Sequence, residues 1–267
     1  MAALLDGEPK YARQVEFDAL IAQITEEGST LDDAAKEALE ILQADDQDLS
    51  YLYVYFTEEE KRDKEALMKN VQTIEKASRE EETPVNCLFS FQGLKQVLMC
   101  EDKKKAISSW RLCEGRSIVK SLVRILGLVK ADDDDKSDSD EDSDVDEDED
   151  EIMFMVNTLA ILSLFAEEGS KQNRLRSPER LFSLDEESMG YVLARLDKHQ
   201  DESRVAIPLL SFILVLMSQT ENKASFIAGG GVANIELTLK MHKKNAELKA
   251  IGERVLTTLS DDVTLSG

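Results

Sequence analysis

The C-terminal half of the chain repeats itself, and this repetition constrains the fold more than any other feature. When His199 is aligned with His242, residues 191–218 and 234–260 match at a spacing of 43 residues. The apolar positions that then coincide are Val192 with Ile235, Leu196 with Leu239, Val205 with Leu248 and Leu216 with Leu259. Each unit predicts a short first helix, an amphipathic second helix, a polar turn and an apolar third helix. The chain should therefore fold as stacked copies of one helical unit.

Residues 221–260, which read ENKASFIAGGGVANIELTLKMHKKNAELKAIGERVLTTLS, resemble an armadillo repeat. A period of about 40–47 residues with two or three helices is typical of HEAT and armadillo arrays. Asn222 would open the first helix, Gly229 to Gly231 would turn the chain into the second, and the third would run from about Ala246 to Leu259.

The resemblance extends backwards along the chain to about residue 115. KQNRLRSPERLF, from Lys171, resembles the opening of the preceding repeat, with six extra residues before its second helix. One step earlier, RSIVKSLVRILG resembles a second helix and IMFMVNTLAILSLF a third. The resemblance implies an all-α fold, a right-handed α-solenoid of about four to five armadillo-like repeats.

Proteins of this family bind extended peptides or partner helices in a groove lined by third helices. Their nuclear-import and adhesion members hold the ligand backbone with a ladder of Asn and Trp side chains. Here the single tryptophan, Trp110, lies outside the predicted third helices, and Leu164 stands where the ladder has Asn. These differences from the ladder argue against a function as an import-signal receptor.

Four regions are predicted along the chain. They are an N-terminal helical or capping region of degenerate repeats (1–83), the first part of an armadillo-like repeat (84–131), an acidic disordered loop (132–151) and the C-terminal armadillo-like repeats (152–267). Thr30, with Asp33 three residues later, predicts a capped helix start. YLYVYF, residues 51–56, is predicted as an aromatic-rich helix that continues into the charged segment after it.

The acidic loop falls where a repeat has its short turn between the second and third helices. It holds 15 of the 55 acidic residues and one Lys in twenty positions. Such a density of like charge cannot pack, so the segment should stay extended. The cost of loop closure grows by only about 0.6 kcal/mol per doubling of length, so a helical array tolerates the insertion.

Ser137, Ser139 and Ser143 each have an acidic residue three positions downstream, a pattern typical of substrates of acidophilic kinases. Phosphorylation would add about −1.5 to −2 of charge at each site. The loop is also a candidate contact for a basic partner, and the alternative is a segment that only solubilises the chain. The candidate contact residues are Asp132, Asp133, Asp134, Asp135, Asp138, Asp140, Glu141 and Asp142.

A positive stretch follows the loop and predicts an anion-binding edge, or a dock for the loop itself. Its residues are Lys171, Arg174, Arg176 and Arg180. A solvated first helix is the alternative explanation, and the sequence favours it. The two histidines fall at equivalent ends of second helices, where a cation complements the helix dipole.

We expect no catalytic site, no metal and no cofactor. Neither histidine is accompanied by a nucleophile and an orienting acid, and Cys87, Cys100 and Cys113 form no CxxC pair. An odd number of cysteines, without a secretory signal at the N-terminus, favours a reducing compartment. The cytoplasm is the predicted location, with the nucleus as the alternative.

Net charge and segment length limit the partners. The net charge is −23, and −9 remains without the acidic loop. An acidic body repels phosphate backbones, so no nucleic acid is expected. The longest apolar segment, residues 152–165, is too short to cross a bilayer, so no membrane partner is expected.

Two functions remain open. The favoured one is a non-enzymatic scaffold or adaptor that brings proteins together, as part of a larger cytoplasmic or cytoskeletal assembly. The alternative is a regulatory or chaperone-like factor whose acidic loop shields a basic client.

Overall fold

The computed structural model describes residues 10–80, 87–128, 144–169 and 175–260. Most of this part of the chain is helical, and a single π-helical turn, Phe165–Gly169, follows the seventh helix. The helices are α1 (Gln14–Glu26), α2 (Leu31–Ala44), α3 (Glu58–Ser78), α4 (Cys87–Leu98), α5 (Lys103–Gly115), α6 (Ile118–Leu128), α7 (Asp144–Leu164), α8 (Pro178–Phe182), α9 (Glu186–Lys198), α10 (Ser203–Leu216), α11 (Thr220–Ala228), α12 (Gly231–Met241) and α13 (Ala246–Ser260). None of the described helices is both long and apolar enough to span a bilayer.

Short polar side chains start several of these helices. Thr30 accepts a hydrogen bond from the backbone N–H of Asp33, which confirms the predicted cap of α2. Asp102 and Asp185 accept in the same way at the starts of α5 and α9. Each such bond satisfies an N–H that has no partner within its own helix.

Helices that lie three elements apart in the chain contact one another. The contacts α3 to α6, α6 to α9 and α9 to α12 form a first row of helices, and α4 to α7, α7 to α10 and α10 to α13 form a second row. The amphipathic face predicted in α6 is buried between neighbours, as Ile118, Leu122, Ile125 and Leu126 show.

The three helices predicted for residues 221–260 are present as α11, α12 and α13. The predicted third helix of the last unit is α13, which begins at Ala246 as expected. His199 and His242 are the C-caps of α9 and α12, so they occupy equivalent positions. Gly230 has a φ of +82°, a left-handed conformation that glycine adopts without strain, and it starts α12.

The predicted helix at residues 51–56 is wrong. This segment is non-helical, and α3 begins only at Glu58, with Thr57 as its cap. Gln14 holds the segment in place, since its Oε1 accepts from the Tyr53 N–H at 2.8 Å and its Nε2 donates to the Tyr53 carbonyl at 3.2 Å. A side chain thus replaces the backbone hydrogen bonds that a helix would have made.

The boundary predicted for the acidic loop also needs correction. Helix α7 begins at Asp144, so residues 144–151 are helical and not part of a loop. Acidic residues in the first turns of a helix complement its dipole. Ion pairs made by Glu149 and Glu151, described below, hold this end of the run against α9 and α10. Residues 132–143 lie outside the described part of the chain.

Asn222 connects three pieces of backbone and is fully buried. Its Oδ1 accepts from the Leu184 N–H at 3.0 Å, and its Nδ2 donates to the carbonyls of Phe182 at 2.7 Å and Leu216 at 2.9 Å. It therefore fixes α11 to the segment after α8 and to the end of α10.

We expect Asn222→Ala to lower the free energy of unfolding by about 2–4 kcal/mol, because it leaves buried backbone groups without partners. Urea denaturation measures this loss. Asn157→Ala, which removes an exposed amide from α7, is the matched control and should not destabilise the protein. Equal effects of the two substitutions would contradict the role given to Asn222.

Candidate functional site

Glu151, the last residue of the acidic run, contacts a cluster of basic side chains at the end of α9. Glu151 lies 3.1 Å from Arg195 Nη1, 2.9 Å from Lys198 Nζ and 3.6 Å from His199 Nε2. We call these four residues the Glu151 cluster. The side chain of Glu151 is only 15% exposed and that of Arg195 only 6%, so water screens this ion pair less than a surface pair.

Arg195 also joins the two helices that flank the acidic run. Its Nε donates to the Leu126 carbonyl at 2.6 Å and its Nη2 to the Gly127 carbonyl at 3.2 Å, both at the end of α6. The same guanidinium reaches Glu151 in α7. A cation at the last carbonyls of a helix is favourable for its dipole.

A second acidic residue of the run makes a more exposed contact. Glu149 accepts from Arg204 in α10 at 2.8 and 3.0 Å, and Glu202 also contacts that guanidinium. The hydrogen bonds from Arg204 lower the pKa of Glu149. Both side chains of this pair are more than half exposed, so it contributes little to stability.

His199 is buried beside these charges, and its Nε2 has no hydrogen-bond partner within the described part of the chain. Burial lowers the pKa of His199, Glu151 opposes that shift, and Lys198 and Arg195 add to it. The imidazole is therefore neutral at pH 7 in the folded state.

A separate cavity of about 700 Å³ lies between the N-terminal segment, α1, α3, α5 and α8. Three arginines from three separate elements line it, and we call it the arginine pocket: Arg13, Arg116 and Arg180. Its apolar wall includes Tyr11, Val15, Tyr51, Met68, Leu112 and Leu181. The Tyr11 and Tyr51 rings lie 4.9 Å apart, and the Arg180 guanidinium lies 5.6 Å from the Tyr11 ring.

Two carboxylates also face the arginine pocket, and both have close partners. Asp18 is 2.5 Å from Lys64 Nζ and accepts from Gln14 at 2.9 Å. Glu114 is buried and accepts from the backbone N–H groups of Arg176 and Ser177, at 2.6 to 3.0 Å.

The structure places only part of the predicted sites. Of the predicted anion-binding edge, Arg176 and Arg180 are described, while Lys171 and Arg174 lie outside the described residues. Ser137, Ser139, Ser143 and the candidate contact residues from Asp132 to Asp142 also lie outside them. The described carboxylates of the run bind Arg195, Lys198 and Arg204, which the sequence had not singled out.

Sequence reasoning missed these partners because each looks like an ordinary surface residue of an amphipathic helix. Arg195, Lys198 and Arg204 lie 44 to 55 residues from the carboxylates that they bind. One signal was present, since Arg195 stands beside Leu196 on the apolar side of α9.

The second row of helices carries exposed apolar side chains at its α4 end. Phe89 in α4 is 83% exposed and Met153 in α7 is 48% exposed, and these two helices contact each other. Asn157, one turn beyond Met153, is exposed as well. Leu164 is partly buried against the core.

Comparison with known proteins gives no match: no family model fits the chain, and no curated protein and no solved structure is significantly similar to it. Among the described residues, no group of three or more His, Cys, Asp and Glu side chains is placed to hold a metal ion. Cys87, Cys100 and Cys113 form no disulfide bond within the described part of the chain, and burial raises the pKa of Cys113.

Glu151→Gln should lower the free energy of unfolding by about 1–3 kcal/mol, because Arg195 would keep a buried charge without its counter-ion. Urea denaturation at pH 7 measures the change. Glu149→Gln removes the same charge from the same helix at an exposed pair and is the matched control, with little or no effect expected. If both variants behave alike, the Glu151 cluster does not hold α7.

The buried neutral state of His199 predicts a pH dependence. Its folded-state pKa lies below the unfolded value of about 6.5, so the unfolded chain binds the proton first as pH falls. The stability is fully present above pH 6.5 and decreases as pH drops through that value. His199→Gln should flatten the stability profile between pH 7.5 and about 5.5.

Proposed function

We propose that the protein is a non-enzymatic protein-interaction scaffold built as an armadillo-like solenoid. The observation that supports this most directly is the period of three helices in the contacts of both rows. Under this proposal α6, α9 and α12 are second helices, and α7, α10 and α13 are third helices. The 43-residue spacing and the equivalent caps at His199 and His242 agree with that assignment.

The second row is the proposed binding face. Large apolar side chains exposed on adjacent helices are typical of protein-interaction sites, and Phe89 and Met153 are such a pair. The ladder of the family's import receptors is not expected here, because Trp110 is buried in α5, where its Nε1 donates to the Leu98 carbonyl. The bound segment would therefore be held by apolar contacts instead.

The charge of the segment that leads into this face indicates the chemistry of the partner. Helix α7, which carries Met153, starts within the acidic run. A peptide or helix with an apolar anchor and nearby Lys or Arg residues would complement both features. Location in the cytoplasm and phosphorylation of the run remain predictions.

The alternative function, a factor that shields a basic client with its acidic run, draws support from one observation. The Glu151 cluster fixes the carboxyl end of the run against α9. Such an anchor would hold the acidic residues before it at a defined place on the protein surface.

The test is a set of parallel affinity captures with the full chain, each at low and high salt and quantified by mass spectrometry. The double substitution Phe89→Ser with Met153→Ser should abolish capture of the specific partners, because it removes the apolar anchors. Met241→Ser is the matched control, since Met241 is 54% exposed but lies on α12, in the first row.

A second variant separates the two functions. Deletion of residues 132–143 removes acidic residues while it keeps Glu149 and Glu151, which hold α7. If the protein is a scaffold, the deletion variant should retain its partners. If it is a shielding factor, the deletion variant should lose them, and capture by the unmodified chain should fall steeply with salt. Partners that survive the double substitution and disappear with the deletion would overturn the scaffold proposal in favour of shielding.

A further inference from the structure

The arginine pocket is a different surface from the second-row face. Its arginines are positively charged, whereas the chain as a whole is negative. Arg180 makes no ion pair within the described residues and faces the Tyr11 ring. Arg116 is paired with Glu75, at 2.7 Å from its Nε, and Arg13 with Glu16, at 2.9 Å. Neither of those two glutamates lines the cavity.

Within the described residues, neither acidic side chain in the cavity wall forms an ion pair with Arg180. Asp18 is neutralised by the buried Lys64. Glu114 is turned to the backbone of residues 176–177. The available positive charge of the cavity is therefore concentrated at Arg180, with Arg116 and Arg13 at its edge.

The remaining wall suits an apolar side chain. The Tyr11 and Tyr51 rings form one side, and burial raises the pKa of Tyr51, so its phenol stays neutral. Met68, Leu112 and Leu181 supply aliphatic surface. A cavity of about 700 Å³ lies within the range of about 300–1,000 Å³ that ligand sites occupy.

Polyanions are poor candidates for this cavity. A chain with a net charge of −23 repels a nucleic acid, which carries about one charge per 1.7 Å of duplex. A short peptide with one or two carboxylates is repelled far less. A carboxylate in direct contact with a guanidinium lies well within the screening length of about 8–10 Å, so salt does not remove their attraction. A guanidinium beside an aromatic ring suits the carboxylate of such a peptide.

We propose that the arginine pocket binds a short acidic peptide segment of a protein partner. A carboxylate of the segment pairs with Arg180, and an adjacent aromatic or aliphatic side chain enters the cavity between Tyr11, Tyr51 and Met68. This site is independent of the second-row face, so the chain contacts two different kinds of protein segment.

The test selects phage-displayed heptapeptides on the full chain and counter-selects them on Arg180→Gln. Arg180 is exposed and makes no ion pair in the described residues, so this substitution should leave the fold intact. We expect the recovered peptides to combine Asp or Glu with a large apolar residue. A synthetic copy should bind about tenfold more weakly to Arg180→Gln in fluorescence anisotropy, since one charge-assisted hydrogen bond is worth about 1.4 kcal/mol or more.

Arg254→Gln is the matched control, because it makes the same change of net charge at an exposed position of α13. It should bind the peptide as tightly as the unmodified chain, and so should the Phe89→Ser variant, which distinguishes this site from the second-row face. Arg180→Lys should recover part of the affinity.

Three results of the peptide selection would overturn the proposal. They are recovered peptides without acidic residues, peptides that bind Arg180→Gln and the unmodified chain equally, and no enrichment over Arg180→Gln. A uridine octamer that binds in an Arg180-dependent way would also overturn it, in favour of a nucleic-acid site.

Discussion

The position of the acidic run depends on Arg195. This one guanidinium binds carbonyls at the end of α6 and also Glu151, the last residue of the run. It therefore holds together two helices whose connection, residues 129–143, contains eight acidic residues and two lysines. The closure entropy and charge repulsion of that connection both oppose the packing of the two helices, and the Arg195 contacts offset part of this cost. Helices α6 and α7 belong to different rows, and each also contacts its own neighbours in that row.

The sequence predicted the elements whose pattern is local. Helices α9 to α13 follow from the apolar periodicity and the 43-residue spacing, and the cap at Thr30 follows from two residues. The segment 51–56 was misjudged because its structure depends on Gln14, a residue 39 positions away. For the same reason the predicted basic edge included only residues adjacent in sequence, whereas the arginine pocket takes Arg13, Arg116 and Arg180 from separate elements.

The N-terminal region is joined to the rest by polar contacts more than by a repeat pattern. Asp18 in α1 receives Lys64 from α3 and the Tyr55 hydroxyl at 3.1 Å. The same α1 supplies Gln14, which binds residue Tyr53.

Three partly buried ion pairs join different helices: Asp18–Lys64, Glu75–Arg116 and Glu151–Arg195. Removal from water costs each pair about as much as the attraction returns, so they add little net stability over apolar residues of the same volume. Their effect is on register. Leu and Ile contacts between neighbouring helices tolerate a slide of one turn, whereas a buried guanidinium displaced by one turn would lose its counter-ion and remain buried. Such pairs therefore favour one relative position of the helices that they join.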